Sequence, residues 1–577
     1  MAKSIGTFTF VLHSHLPYVL SHGQWPHGMD WLYECAFGSY LPLLDASRRL
    51  TDEGLPPKFT LGVTPVLCEM LASPTFKAGF PGYLENRIQA SDENIGELIR
   101  TGQDDLAPLA EMWRDVFTQA KTDFEERWDR DVLAGFRDLQ DENALEIITC
   151  GATHGYFPLL SEDVSVQAQV KCGIRTYERH FGRKPSGMWL PECAYRPAYS
   201  WKSPLNGDAS EKPRKGVEEF LSENGISYFI IDSHLLKGGK AIGVYLDRFE
   251  GLKLLWSQYE KAYGPFEDEE GDRSPYEIHL LGGGGAQKPV AVLTRDPETG
   301  LKVWSREVGY PGDGGYLDFH KKQFPSGNRY WRVTDAKADL AEKEVYDPAL
   351  AQSRIAPHAM HFNQTVYDVL THYEKENGKP GFICAPFDTE LFGHWWYEGP
   401  RWLEHVVRGI YQTDGIEVVT GSEQMQSDPP KRMVEIPEGS WGEGGYHYIW
   451  LNDVNKWTWK HVYEAEETLH DLAGRLSENP SPDIQRLLRQ LARENLLLQS
   501  SDWQFLISTF AAKDYAELRL DFHAEACVRL AALIKRLDSG ESLSEGDWVW
   551  VEEVEKRDCI FEDIDVSWWA KVEYPAE

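Results

Sequence analysis

The sequence lacks the features of a membrane protein and of a disulfide-stabilised protein. Its 577 residues contain no run of about 18 apolar residues that could cross a bilayer. The eight cysteines are scattered, and none forms a Cys-x-x-Cys pair. The N-terminus carries no basic segment followed by an apolar secretory core. We therefore expect a cytoplasmic protein with free thiols and no membrane partner.

Positive charge is also scarce. The 59 Lys and Arg residues face 92 Asp and Glu residues, which gives a formal net charge of −33. Such a surface repels phosphate backbones, so we expect no nucleic-acid partner. Aromatic residues are abundant instead, with 21 Trp and 26 Tyr. Aromatic rings stack on the apolar faces of sugars and also fill large cores, so composition alone leaves both roles open.

Short apolar runs recur through the first 420 residues and predict buried strands. Because these runs are continuous rather than alternating, they are typical of parallel strands covered by helices on both faces. Helical patterns such as Val166–Phe181 and Val217–Asn224 separate them, which indicates an α/β architecture. The seven expected strands are Thr7–Leu12, Phe59–Val63, Leu145–Cys150, Gly187–Leu190, Ser227–Asp232, Gly381–Ala385 and Ile416–Thr420.

Seven strands predict a barrel close to the eight-stranded kind but incomplete. We expect a barrel domain over residues 1–425, with insertions at about 75–140 and 235–345 that build lids over a site. Residues 426–577 form the second expected domain. It begins with a Trp-rich segment and continues as long helical patterns at His461–Leu476, Asp483–Leu498 and Asp514–Asp538.

Chemically active side chains follow four of the predicted strands. His13 and His15 follow the first, His154 follows the third, Glu192 follows the fourth, and Asp388 follows the strand at Gly381–Ala385. In α/β barrels such strand ends meet at one face. Two carboxylates beside aromatic residues suit glycoside chemistry, in which one attacks the anomeric carbon and the other protonates the leaving oxygen.

Other roles for these side chains remain open at this stage. Glu390 competes with Asp388 in the same motif, and a single carboxylate at a strand end is often a helix cap or an ion-pair partner. The His13-x-His15 pair, with His154 and Asp388, could ligate Zn²⁺ as in metal-dependent deacetylases. The same histidines could instead hydrogen-bond a sugar or stabilise the fold.

The motifs as a set resemble glycoside hydrolase family 57, and within it the 1,4-α-glucan branching enzymes. The similarity extends over nearly the whole chain in the family's order. The matching segments are His13–Tyr18, Gly151–Leu160, Trp189–Tyr195, Val303–Asp313, Pro386–Trp402, Ser440–Trp450 and Ser500–Phe505.

The resemblance implies a (β/α)₇ incomplete TIM-like barrel with helical insertions and a C-terminal α-helical domain. It implies that Glu192 is the nucleophile, that Asp388 is the general acid/base, and that neither metal nor cofactor is needed. A set of substrate-binding residues comes with the matching motifs. It comprises His13, His15, His154, Trp189, Arg295, Trp304, Gly312, Trp396, Trp441, Trp450 and Asp502.

The implied reaction is cleavage of an α-1,4-glucan and transfer of the chain to a 6-hydroxyl, with retention, in glycogen biosynthesis. Amylose or glycogen would serve as donor and acceptor. A hydrolase or a 4-α-glucanotransferase using the same carboxylates is the alternative, and a glucan-binding protein without activity is disfavoured by the intact motifs. Branching members carry a loop tyrosine over the site, and the candidates here are Tyr245, Tyr259 and Tyr263.

Overall fold

The computed structural model describes residues 3–205, 211–237, 273–282, 286, 288–305, 309–335 and 337–574. Its strands, in chain order, are β1 (Gly6–Ser14), β2 (Thr60–Val63), β3 (Glu146–Cys150), β4 (Gly187–Trp189), β5 (Tyr199–Trp201), β6 (Lys212–Arg214), β7 (Tyr228–Ile231), β8 (His279–Leu281), β9 (Val290–Thr294), β10 (Gly381–Asp388) and β11 (Ile416–Val418).

Helices surround these strands and make up most of the remaining described chain. They are α1 (Met29–Cys35), α2 (Leu41–Asp52), α3 (Pro65–Ala72), α4 (Pro74–Arg100), α5 (Ala107–Thr122), α6 (Val132–Asp141), α7 (Asp163–Phe181), α8 (Val217–Glu223), α9 (Ser233–Lys237), α10 (Pro297–Trp304), α11 (Pro348–Asn377), α12 (Gly399–Tyr411), α13 (Gly421–Ser427), α14 (Lys456–Leu476), α15 (Pro482–Leu498), α16 (Asp502–Thr509), α17 (Lys513–Asp538) and α18 (Glu545–Arg557).

Seven parallel strands form the central sheet in the order β10-β1-β2-β3-β4-β7-β9. A parallel bridge between Arg295 and Cys384 links the end of β9 to β10, so the sheet curls into a barrel. The strand β8 adds to β9 in the antiparallel sense. The expected (β/α)₇ architecture is therefore confirmed, with a helical region after residue 456.

One barrel strand was not predicted. β9 lies inside the interval 235–345, which the sequence analysis assigned to an insertion. The run Val290–Thr294 is short and follows the Gly-rich stretch at 282–285, so its neighbourhood is typical of a loop. The strand expected at Ile416–Thr420 is β11. It pairs with the first residues of β1 and is not one of the seven consecutive barrel strands.

The two other regional expectations concern helices. The interval 75–140 is helical, as its charged pattern predicted, and contains α4, α5 and most of α6. The long helical patterns near the C-terminus are α14, α15 and α17. In the described part of the chain, no helix has the length and apolar character that crossing a bilayer requires.

The helix α7 packs directly on β3 through Gly173. A Cβ atom at this position would lie 2.2 Å from the carbonyl oxygen of Cys150, which is far inside contact distance. Glycine is therefore required here by close approach, and this contact fixes the height of α7 over the strand that leads to His154.

We expect Gly173→Ala to lower the thermal unfolding midpoint, because overpacking against a backbone oxygen costs about 1–3 kcal/mol. The matched control is Gly96→Ala in α4, where a Cβ would meet nothing within 4 Å. That change should raise stability by about 0.5–1 kcal/mol, because alanine favours a helix. The unfolding midpoints are measured by calorimetry. If both variants unfold above the wild-type midpoint, or both below it, this account of α7 is contradicted.

Candidate functional site

The four motif-bearing strands deliver their side chains to one end of the barrel. β1 and β10 pair in parallel with His13 opposite Asp388, so the register places a histidine beside a carboxylate. β3 and β4 are neighbours and lead to His154 and Glu192. The convergence follows from topology, because the carboxyl ends of parallel strands in a barrel share one face.

A cavity of about 730 Å³ opens at this end of the barrel, and both Glu192 and Asp388 line it. Its size is that of a binding site for a small ligand or a segment of a polymer. The predicted residues that line it are His13, His15, His154, Glu192, Trp304, Gly312, Asp388, Trp441 and Asp502.

Glu192 sits on a strained backbone. Its φ is +60° and that of the following Cys193 is +47°, and non-glycine residues in this left-handed region cost about 1–3 kcal/mol each. The backbone N–H of Trp441 donates to the Glu192 carbonyl at 3.1 Å and helps to hold this conformation. The strained turn directs the carboxylate into the cavity.

Both carboxylate oxygens of Glu192 accept hydrogen bonds from the C-terminal third of the chain. Trp441 Nε1 donates to Oε2 at 2.8 Å, and Ser501 Oγ donates to Oε1 at 3.3 Å. Burial raises the pKa of Glu192 to about 8, the bond from Trp441 opposes this rise, and the negative charge of Asp388 adds to it. Near neutral pH burial therefore favours the protonated form of Glu192, and the two hydrogen bonds favour its ionised form.

The histidines form a directed chain that ends at Glu192. Burial holds the pKa values of His13 and His154 well below the ordinary value, so both rings are neutral. Because Ser501 donates to Glu192, it accepts from His154 Nδ1 at 2.9 Å. His154 Nε2 then accepts from His13 Nε2 at 3.1 Å. His154 also has a positive φ of +62°, so its placement, like that of Glu192, is imposed by its surroundings.

His15 is held between Asp502 and Thr64. Its Nε2 lies 3.0 Å from Asp502 Oδ2 and its Nδ1 lies 3.1 Å from Thr64 Oγ1. Burial alone would raise the pKa of Asp502, but its interaction with His15 outweighs burial and lowers that pKa to about 2. Asp502 is therefore a fixed negative charge at one side of the cavity.

A metal could be held by His15, His154 and Asp502, whose ligand atoms lie within 4.8 Å of one another. In the structure, however, both ring nitrogens of His15 and of His154 have protein hydrogen-bond partners. A bound ion would have to break these bonds. The arrangement favours a hydrogen-bond network over a metal centre, and the absence of a metal from the reaction stays a prediction.

Glu390, the competing carboxylate, is engaged by the protein. Its Oε1 accepts from Tyr40 OH at 2.6 Å and from the backbone N–H of His15 at 3.1 Å. Burial raises its pKa to about 8, the bond from Tyr40 opposes the rise, and the charge of Asp388 adds to it. Glu390 lines the cavity, but its bonds tie β1 to the turn after β10, which is a positioning role.

Three predicted tryptophans need correction. Trp189, Trp396 and Trp450 are at most 1% exposed, so a sugar ring cannot stack on them. Each supports a residue nearer the cavity or packs in the core. Trp189 stacks on His13 at 4.6 Å, Trp450 stacks on Tyr156 at 4.5 Å, and Trp396 packs against Trp402 at 5.3 Å between ring centroids.

Arg295 also differs from expectation. It does not line the cavity but pairs with Asp232, its Nη1 lying 3.1 Å from Oδ2. Although burial opposes ionisation, Arg295 and His234 hold the pKa of Asp232 well below its usual range. Arg295 follows β9, so this ion pair ties two strand ends together. The loop tyrosine candidates Tyr245, Tyr259 and Tyr263 lie outside the described residues.

Sequence reasoning missed several residues of the cavity and its hydrogen-bond network. Ser501, which donates to Glu192, is adjacent to the predicted Asp502 but carried no signal of its own. Trp395 lines the cavity where the neighbouring Trp396 was expected, and Trp31 and Phe319 contribute further aromatic surface. The pair of tryptophans after Asp388 was visible in sequence, but which of the two faces the cavity was not.

Two carboxylates and aromatic faces in one cavity, at the carboxyl end of a (β/α)₇ barrel, define an enzyme that acts on glycosidic bonds. The profile described as glycosyl hydrolase family 57 matches residues 9–437. The profile described as the C-terminal region of 1,4-alpha-glucan branching enzymes matches residues 461–569. The chain belongs to glycosyl hydrolase family 57.

Individual relatives agree with this assignment. The 1,4-alpha-glucan branching enzyme of Thermococcus kodakarensis is 41% identical over 97% of this chain and 78% of its own length. The crystal structure of the branching enzyme from Pyrococcus horikoshii is 39% identical, with a TM-score of 0.87 over 99% of this chain and 98% of that one. The alpha-amylase AmyC from Thermotoga maritima is 28% identical, with a TM-score of 0.79 over all of both chains.

The raised pKa of Glu192 has a consequence for stability. An unfolded glutamate titrates near pH 4.3, so between that pH and about 8 the folded protein binds the extra proton. The free energy of unfolding therefore falls as pH rises through this window. Glutamine at position 192 does not titrate, so the variant does not lose this stability. We expect the thermal unfolding midpoint of Glu192→Gln, relative to that of the wild type, to increase from pH 5 to pH 8. A constant difference between the two midpoints would contradict the raised pKa.

Proposed function

We propose that the chain is a retaining 1,4-α-glucan branching enzyme, with Glu192 as nucleophile and Asp388 as general acid/base. The observation that carries the proposal is that both carboxyls open on one cavity, where Glu192 accepts hydrogen bonds from Trp441 and Ser501. Those bonds oppose the effect of burial and favour the ionised form of Glu192, which is the form that acts as nucleophile.

In the first step, Glu192 attacks the anomeric carbon of an α-1,4 linkage. Asp388 gives its proton to the departing oxygen, so the bond to the leaving chain breaks and a glycosyl ester of Glu192 forms. Trp304 and Trp441, which are 4% and 6% exposed, form part of the wall of this cavity.

In the second step, Asp388, now ionised, takes the proton of an acceptor 6-hydroxyl. The acceptor oxygen attacks the same carbon, and the electrons of the ester bond return to Glu192. Two inversions give net retention and an α-1,6 branch. If water takes the place of the acceptor, the same residues hydrolyse the glucan.

We assign His13, His15, His154 and Asp502 to the donor sugar, because they surround Glu192 and are locked by mutual hydrogen bonds. The ring nitrogens of His15 and His154 are bonded within the protein, so these rings shape the cavity wall, whereas the carboxylate of Asp502 keeps lone pairs that can accept from sugar hydroxyls without reorganising. The C-terminal region, expected from residue 426, supplies Trp441, Ser501 and Asp502 to this part of the cavity. The donor and acceptor proposed are α-1,4-glucans such as amylose or glycogen.

Hydrolysis is the second candidate, because the structure named alpha-amylase AmyC aligns over the full length of this chain. A role in glycogen biosynthesis, a cytoplasmic location and a capping function for Tyr245, Tyr259 or Tyr263 remain predictions from the sequence.

Glu192→Gln and Asp388→Asn should each lower the rate of glucan turnover by about a thousandfold or more, because each removes a covalent or proton-transfer role. Turnover is measured with amylose, and circular dichroism verifies the fold. Glu417→Gln, in the exposed middle of β11, is a control that should keep wild-type turnover. Near-normal rates in either carboxylate variant would refute the assigned pair.

Incubation with amylose separates the two candidate functions. The products are treated with a debranching enzyme to count α-1,6 linkages, and reducing ends are counted before that treatment. We expect many new branch points for each reducing end released. Reducing ends without new α-1,6 linkages would identify a hydrolase instead.

The value of kcat/KM should rise as pH rises toward 8. Burial raises the pKa of Glu192 to about 8, and this carboxyl must lose its proton before it can attack the anomeric carbon. A pH profile of kcat/KM on amylose measures the midpoint of this rise. A profile that is already level from pH 5 upward would contradict the raised pKa.

A further inference from the structure

Trp395 is the most exposed of the tryptophan and phenylalanine residues that line the cavity. It is 47% exposed, whereas Trp304 and Trp441 in the same cavity are 4% and 6% exposed. A sugar ring needs an open aromatic face to stack, so these two buried rings act as walls and Trp395 offers a platform. Phe319 extends it, with ring centroids 4.3 Å apart and planes inclined by 35°.

This aromatic pair belongs to the side of the cavity that carries Asp388. Trp395 follows Asp388 by one short turn, and its backbone N–H donates to the carbonyl of Glu390 at 3.1 Å. Glu192, by contrast, contacts Trp441 and Ser501, which belong to the C-terminal region. The acid/base carboxyl always faces the oxygen that leaves or attacks, so chains on the Asp388 side are leaving chains and acceptors.

The platform is held rigid by Arg329. The guanidinium lies 5.8 Å from the centre of the Phe319 ring, and Nη1 donates to the carbonyl of His394 at 3.2 Å. One side chain thus fixes both the ring of Phe319 and the backbone next to Trp395. A surface ordered before binding loses little entropy when a chain settles on it.

We propose that Trp395 and Phe319 form the acceptor subsite, where an α-glucan chain stacks so that its 6-hydroxyl reaches Asp388. This inference rests on the proposed function and names the residues that make transfer outcompete hydrolysis. In the step it assists, the acceptor O6–H bond breaks with the proton going to Asp388. The new C1–O6 bond forms as the bond from C1 to Glu192 breaks, which leaves that carboxylate free.

The test compares Trp395→Ala, Phe319→Ala and Trp395→Phe with the wild type on amylose. We expect the ratio of new α-1,6 linkages to released reducing ends to fall by about three- to tenfold in both alanine variants, as expected for the loss of one aromatic contact. Trp395→Phe keeps a stacking face and should recover much of the ratio. The concentration of added maltooligosaccharide acceptor that half-saturates transfer should rise in the alanine variants.

Two exposed aromatics outside the cavity serve as matched controls. Trp457 is 36% exposed on α14, and Phe324 is 90% exposed in the same segment as Phe319. Trp457→Ala and Phe324→Ala should leave the ratio at the wild-type value.

The outcomes separate this inference from the proposed function. Wild-type enzyme that forms no α-1,6 linkages would refute the branching function itself. Wild-type enzyme that branches, together with a Trp395→Ala variant whose ratio and acceptor saturation are unchanged, would refute the acceptor subsite alone. Equal losses in Trp395→Phe and Trp395→Ala would also overturn it, because stacking would then not be the cause.

Discussion

The structure depends on holding an ionisable carboxyl, Glu192, in a buried cavity and in a backbone conformation that glutamate rarely adopts. Burial opposes its charge, and a positive φ strains its chain. Contacts from far along the sequence offset both effects. Trp441 donates to the carboxylate and to the backbone carbonyl of Glu192, and Ser501 donates to the second carboxylate oxygen. The active arrangement is thus a property of the whole chain and not of the β4 turn.

The barrel and the C-terminal region contribute different groups to the site. The strands β1, β3, β4 and β10 bring His13, His154, Glu192 and Asp388 to one rim through parallel pairing alone. The later chain adds the hydrogen-bond donors and the charge of Asp502, which orient those groups. The reactive groups therefore come from the strand ends, whereas the groups that adjust their pKa values come from the C-terminal region.

Sequence patterns predicted the barrel and the reactive groups because strand ends converge wherever a parallel sheet closes. Six of the seven expected strands lie in the barrel, and their ends carry the groups that meet. The same patterns did not predict side-chain orientation after β10 or the strand β9, because both depend on local conformation. Trp395 faces the cavity and Trp396 the core because of the turn after β10, and β9 was missed because a five-residue run beside glycines has no clear period. Ser501 acts through a tertiary contact, which no local pattern encodes.

The long sequence separation between Glu192 and Ser501 bears on how the enzyme comes into being during translation. A growing polypeptide has its nucleophile more than three hundred residues before the serine that completes the bond to it. Until that later stretch leaves the ribosome and docks, the nascent barrel carries its nucleophile without either of these two hydrogen-bond donors.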